Sequence, residues 1–125
     1  MKKLSVLALA ALAVGVAVAP ADAGKREKRA KVGERVAAVD FAFVPKRAKI
    51  KRGQRVVWRN REGIHTVTFR KKRRRAGQRQ ARRFDETISG DDRVTKRFRK
   101  TGRYPYICRF HRAQEMKGVV VVRRG

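Results

Sequence analysis

QRVVWRNREGIHTVTF, residues 54–69, decides the fold. Two β-rich runs, Gln54–Arg59 and His65–Arg70, flank the turn-forming residues 60–63, NREG. In the second run Val67 and Phe69 take one face and Thr66 and Thr68 the other, the alternation of a half-buried strand. Outward from this pair, the same pattern of short run and break recurs about every eight to twelve residues. Arg35–Phe43, Ala48–Lys51, Val94–Phe98, Tyr104–Cys108 and Val119–Arg123 are the further runs, and Val94 and Phe98 flank an outward Lys96. Breaks fall at Pro45, Gly53, Ser89–Asp92, Thr101–Gly102 and Lys117–Gly118. No stretch holds a helical apolar period over three turns. The pattern predicts an all-β domain, an antiparallel sandwich or barrel.

The first two dozen residues read as an export signal. Lys2 and Lys3 begin it, Leu4–Ala19 is uncharged and apolar, and Ala21-Asp22-Ala23 is a small-x-small cleavage site. The apolar run is short for a membrane span, which takes about 20 residues. The expected organisation is therefore a signal peptide over 1–23, a basic flexible tail over 24–34 and one domain over 35–125. Loss of residues 1–23 takes Lys2, Lys3 and Asp22 with it, leaving 34 basic and nine acidic side chains, a net charge of +25. A charge of this size bears on partners and association rates, not on fold. It implies an anionic partner: an acidic protein or an anionic cell-envelope surface. The segment RKKRRRAGQRQARR, residues 70–83, holds nine basic residues in fourteen without an aromatic to stack on a base. It reads as a solvated loop or a generic polyanion contact, which weighs against specific nucleic-acid recognition.

The chain has one cysteine, so no internal disulfide can form. That cysteine lies in YICRFHRAQEMKGVVVV, residues 106–122, where Cys108, His111 and Met116 fall within nine residues. The loop between the Tyr104–Cys108 and Val119–Arg123 runs can offer all three to one metal. His65, at the start of its own strand, supplies a second imidazole from another loop. Two imidazoles and a thiolate in a plane, with a weak axial thioether, make a blue-copper electron-transfer site. The thiolate gives tight binding and an electron path, the histidines suit both Cu(I) and Cu(II), and the thioether favours the reduced ion. A methionine ligand argues against zinc in the same pocket. A lone buried Cys or Met is ordinarily a packing residue, but here four donor types stand together at workable spacing.

On these residues the chain resembles the cupredoxins, in particular the small plastocyanin-, amicyanin- and pseudoazurin-like proteins. FAFVPKRAKIKRGQRVVWRNREGIHTVTF at 41–69 is similar to the family's run from Phe-x-Pro to His-Thr-Val. GRYPYICRFHRAQEMKGVVVV at 102–122 is similar to its Cys-x-x-His-x-x-x-x-Met ending. The resemblance implies an eight-stranded Greek-key β-sandwich with one copper ion at one end, ligated by His65, Cys108, His111 and Met116. It also implies that Trp58, Phe98, Tyr104 and Tyr106 are framework residues and that His111 lies near the surface. Three departures stand out. The turn before His65 is a residue short, Glu115 occupies a position that commonly holds glycine, and Arg109 and Arg112 flank His111 with Phe110 the only nearby large apolar residue.

The two histidines are both taken by this site, so additional copper centres of the kind found in oxidases and nitrite reductases cannot be built. The expectation is not an enzyme but an exported, monomeric one-electron carrier, periplasmic or released to the cell surface, with no transmembrane span in the mature chain. Copper binding and delivery in the envelope is the alternative, and a basic polyanion-binding module is a third reading.

Overall fold

The computed structural model describes residues 29–69 and 84–125. The signal-peptide reading, the tail through residue 28 and the basic segment 70–83 lie outside the described residues. Within them the chain forms nine strands in two sheets. They are β1 (Val32–Val39), β2 (Ala42–Val44), β3 (Arg47–Lys51), β4 (Arg55–Asn60), β5 (Ile64–Phe69), β6 (Asp85–Ser89), β7 (Arg93–Arg97), β8 (Gly102–Ile107) and β9 (Lys117–Arg123). One sheet has the order β2-β1-β4-β7 and the other β3-β9-β8-β5-β6. The pairs β1–β4 and β3–β9 are parallel and the remaining pairs antiparallel. The fold is the all-β Greek-key sandwich expected from the sequence, and it is packed as two layers around one core.

Two elements differ from the sequence reading. The Arg35–Phe43 run is two strands, because the chain reverses at Asp40 and Phe41 and Phe41 adopts a positive φ of 64°. Strand β6, DETIS, was not anticipated. It turns only Ile88 fully inward, so no apolar alternation announces it. These additions give nine strands where the resemblance implies eight.

The core is aromatic at its centre. Trp58 and Tyr106 are both fully buried, with ring centroids 5.5 Å apart in an edge-on contact. Phe69 lies 5.9 Å from Trp58 and 5.4 Å from Tyr106, and Phe43 packs edge-on to Tyr106 at 4.8 Å. Such pairs add about 0.5–1.5 kcal/mol each beyond the area they bury. Gly118 lies directly across from Tyr106 on the neighbouring strand, where a Cβ would sit 2.5 Å from the phenol ring. The glycine is therefore what lets the tyrosine ring pack against the backbone of the neighbouring strand. Near the other end, the Tyr104 hydroxyl donates to the Lys100 carbonyl at 2.7 Å, pinning the connection into β8. Trp58, Phe98, Tyr104 and Tyr106 all belong to this buried cluster, as expected for framework residues.

The register places the chemistry-bearing residues at one end. Strands β5 and β8 run antiparallel, with Thr68 opposite Ile107 and Phe69 opposite Tyr106. The start of β5, carrying His65, therefore meets the end of β8, after which Cys108 follows. Strand β9 returns from the same end, with Lys117 opposite Ile107.

Candidate metal centre

Residues 108–116 close on themselves. The Cys108 N–H donates to the Met116 carbonyl at 2.9 Å, the Met116 N–H to the His111 carbonyl at 3.2 Å, and the Glu115 N–H to the Arg112 carbonyl at 3.0 Å. The tight return requires a left-handed residue, and Glu115 takes it with φ 54°. This is the position where the sequence departs from a customary glycine, and the backbone conformation is kept despite the side chain. Cys108 and Met116 are fully buried and His111 is half-buried.

His65 arrives from the β4–β5 turn. Asn60, buried at the end of β4, donates from Nδ2 to the carbonyls of Gly63 at 3.0 Å and Gly90 at 3.1 Å, tying that turn to the β6–β7 turn. Gly63 has φ 69°, and a Cβ there would lie 2.9 Å from the Asp40 carboxylate. The shorter turn still holds the imidazole: His65 Nε2 lies 2.6 Å from the Glu62 carbonyl. A carbonyl only accepts, so Nε2 carries the proton and Nδ1 keeps its lone pair, the usual way a histidine is set up as a metal ligand. Burial lowers the His65 pKa, the Glu62 hydrogen bond opposes that shift, and the neighbouring His111 adds to it. The neutral, ligating form is thereby favoured.

The three donor atoms converge. His65 Nδ1 and His111 Nδ1 are 3.2 Å apart, and Cys108 Sγ lies 3.4 Å from His111 Nδ1 and 3.9 Å from His65 Nδ1. A triangle with these sides is acute, and its centre lies about 2.0 Å from each corner; imidazole–metal bonds are about 2.0–2.1 Å and thiolate–metal bonds about 2.3 Å for an ion such as zinc. His65, Cys108 and His111 would thus hold one ion at ordinary bond lengths. Trigonal His-His-Cys donation is the pattern of copper electron-transfer centres and not the tetrahedral preference of zinc.

A hydrogen-bonded ring stands beside the sulfur, and the sequence reading did not identify it. The Thr66 N–H donates to Cys108 Sγ at 3.4 Å, and the Arg109 N–H donates to the Thr66 hydroxyl at 2.7 Å. The Thr66 and Thr68 hydroxyls are 3.0 Å apart, and Thr68 donates to Asp85 Oδ1 at 2.6 Å. Arg109 Nε donates to the same carboxylate oxygen at 3.1 Å, closing the ring. Thr68 has one proton, which goes to the acceptor-only carboxylate, so the Thr66 proton serves the threonine pair. The Thr68 hydrogen bond, followed by that of Arg109, holds the Asp85 carboxyl below its ordinary range. Alternation alone put Thr66 and Thr68 on one face of β5, but it did not show that the 108–111 loop covers Thr66 completely. The contribution of Asp85 depends on pairing between β5 and β6, which has no local signal.

The surroundings of His111 also correct the sequence reading. Phe110 is exposed, but Phe41 also stands beside the imidazole, edge-on at 5.0 Å and half-exposed. It comes from the unexpected β1–β2 turn, 70 residues upstream. Ile64, next to His65, is exposed as well. No helix among the described residues is long and apolar enough to cross a membrane.

Comparison with known proteins agrees with this geometry. Residues 30–123 match the family of copper binding proteins described as plastocyanin/azurin. Among solved structures, amicyanin from Paracoccus versutus is 25% identical with a TM-score of 0.58, over 84% of this chain and 85% of that one. A mutant amicyanin in its reduced state is 26% identical with a TM-score of 0.58, over 77% and 84% of the two chains. A mutant fern plastocyanin shares the fold at 18% identity, with a TM-score of 0.63 over 71% of this chain and 99% of that one. The copper-containing nitrite reductase of Thermus scotoductus also aligns, at 24% identity and a TM-score of 0.61, but the aligned part is 23% of that enzyme. No curated protein sequence matches the chain. The family match spans most of the chain, and a soft thiolate beside two imidazoles is a donor set suited to copper. The chain is a member of the plastocyanin/azurin family of copper binding proteins, with copper as its cofactor.

Proposed function

We propose that this protein is an exported one-electron carrier in which His65, Cys108, His111 and Met116 ligate a single copper ion. The observation that carries the reading is the convergence of the two Nδ1 atoms and Sγ on one point, with His65 held in its ligating tautomer by the Glu62 carbonyl. Bound copper supplies one-electron chemistry between Cu(I) and Cu(II). The chain's own residues do the rest. The internally bonded 108–116 loop keeps three of the four ligands at fixed spacing, so little rearrangement accompanies a change of charge. The Thr66 N–H offers the sulfur a hydrogen bond, a contact that raises the potential of such centres by favouring the less charged state. His111, half-buried, is the ligand nearest solvent, and Phe41 and Phe110 beside it give a partner an apolar contact. Arg109 and Arg112 flank that contact, so the partner is an acidic redox protein, drawn in by the +25 charge left once residues 1–23 are removed.

The test is direct. Cu(II) added to the purified protein should give an intense blue absorption that Cys108→Ser abolishes, and a colourless wild type refutes the site. Stopped-flow reduction separates carriage from copper delivery, since a carrier exchanges electrons faster than it yields the metal to a chelator. Rates with an acidic partner should fall steeply with salt, because charges are screened beyond about 8 Å at physiological ionic strength. A flat salt profile removes the electrostatic part of the proposal.

A further inference from the structure

The outer face of the β2-β1-β4-β7 sheet carries arginines in an arrangement that the metal centre does not use. Val56 and Trp58 point inward from β4, so Arg55, Val57 and Arg59 point outward. Across the antiparallel β4–β7 pair, Arg55 stands directly opposite Arg97, and Arg59 directly opposite Arg93. Like charges directly opposite on neighbouring strands repel and are destabilising, and this sheet has two such pairs on one face.

The pairs are not equivalent. Arg55 Nε donates to the Ala30 carbonyl at 2.8 Å and Arg97 Nε to the Gly53 carbonyl at 2.9 Å, so both guanidiniums are anchored by backbone acceptors. The second pair has no such anchorage among the described residues. Arg59 Nε is shut off from solvent with no acceptor, although buried donors are ordinarily satisfied. The nearest carboxylate to that guanidinium, Asp91, is 4.0 Å away and fully exposed, and such a pair is worth little. Arg35, Arg59, Arg61 and Arg93 line one open concavity of about 280 Å³, floored by the small apolar side chains of Ala37 and Val57. No carboxylate and no aromatic ring is among its lining residues.

We infer that this concavity is a binding site for a polyvalent phosphate, such as a condensed phosphate, held by Arg35, Arg59, Arg61 and Arg93. The guanidinium fork matches the geometry of phosphate oxygens bidentately. Four cations around so small a volume call for dense negative charge, more than a single carboxylate supplies. Without an aromatic ring the lining cannot stack on a base, so the oxyanion itself is what it recognises. A bound anion would offset the Arg59–Arg93 repulsion through the guanidinium groups that line the concavity. The inference is independent of copper and does not rest on the electron-carrier reading.

The test is calorimetric titration of the whole protein with sodium pyrophosphate at physiological ionic strength. Saturable binding is expected, and Arg59→Gln and Arg93→Gln should each weaken it roughly tenfold, the loss of a charge-assisted hydrogen bond. Lys49→Gln with Lys51→Gln removes two exposed charges from β3 in the other sheet, and should change affinity less than about twofold. Absence of saturable binding overturns the proposal, as does an equal loss in the β3 control, which would show only the pull of net charge. In the anion-free protein Arg93→Gln should raise the melting temperature, and a fall would refute the repulsion on which the site is argued. With phosphatidylglycerol vesicles, displacement of the protein by pyrophosphate assigns the site to a lipid-borne phosphate. Failure of the vesicles to bind while pyrophosphate does assigns it to a free one.

Discussion

Thr66→Val isolates the contribution of the ring beside Cys108. Valine has nearly the shape of threonine, so packing at this fully buried position is retained and only the hydroxyl is lost. The Arg109 N–H, which donates to that hydroxyl at 2.7 Å in a partly buried contact, is left facing a methyl group without an acceptor. An orphaned buried donor costs about 1–3 kcal/mol. Thr68 loses a neighbour at 3.0 Å but keeps Asp85 at 2.6 Å, so the second break adds little. A net loss of about 2 kcal/mol lowers the melting temperature of a domain of this size by about 8–16 °C. Thr66→Ser is the control: it keeps the hydroxyl and removes one buried methyl, worth about 0.8 kcal/mol before any cavity term. Thermal unfolding of the metal-free protein, followed by circular dichroism, should therefore rank wild type above Ser and Ser above Val. If Val is as stable as wild type, or if Ser is the more damaging change, the ring is not what holds the loop after Cys108 against β5.

Glu115→Gly should stabilise the protein by about 0.5–1 kcal/mol in urea titrations, since a left-handed non-glycine costs about 1–2 kcal/mol and glycine returns part of that as chain entropy. A lower urea midpoint would show that the Glu115 side chain makes a contribution of its own. Gly118→Ala should destabilise by about 1–3 kcal/mol, because the new Cβ lands 2.5 Å from the Tyr106 ring in a packed aromatic core. An unchanged melting temperature would mean that Tyr106 moves freely. His65 has its pKa lowered by burial from 6.5, so the unfolded metal-free chain takes up a proton more readily than the folded one. The stability this confers is present above the unfolded value and is lost as pH falls from about 6.5 through the lower folded value. Urea midpoints measured between about pH 7.5 and about pH 5.5 should show the decline, and His65→Leu should flatten it.

Much of this was legible before any coordinates. Alternation in residues 54–69 and the regular breaks that follow it point to a sandwich because side chains in strands repeat every two residues, a signal that survives heavy substitution by arginine. The donors were legible because their residue types are rare in this chain: one cysteine, two histidines and two methionines. What escaped was whatever depends on pairing across sequence distance. Strand β6 has a single fully buried apolar residue and is a strand because β5 pairs with it. Phe41 meets His111 only because β1 turns back at Asp40, and the run from Arg35 to Phe43 reads as unbroken. Asp85, Thr66, Thr68 and Arg109 come from three parts of the chain with no shared motif, so only topology brings them to one ring.

The two sheets share a core but divide their outer obligations. Every proposed donor to the metal hangs from the β3-β9-β8-β5-β6 sheet or the loops joining its strands, while among the described residues the other sheet lends Phe41, from the turn between β1 and β2, to the rim and inward-facing Asn60, at the end of β4, to the turn before His65. Its outward positions are thus decoupled from coordination. A protein engineer could rewrite Arg35, Arg93 or Val57 to redirect this cupredoxin toward a new surface and leave the colour and potential of its copper where they were.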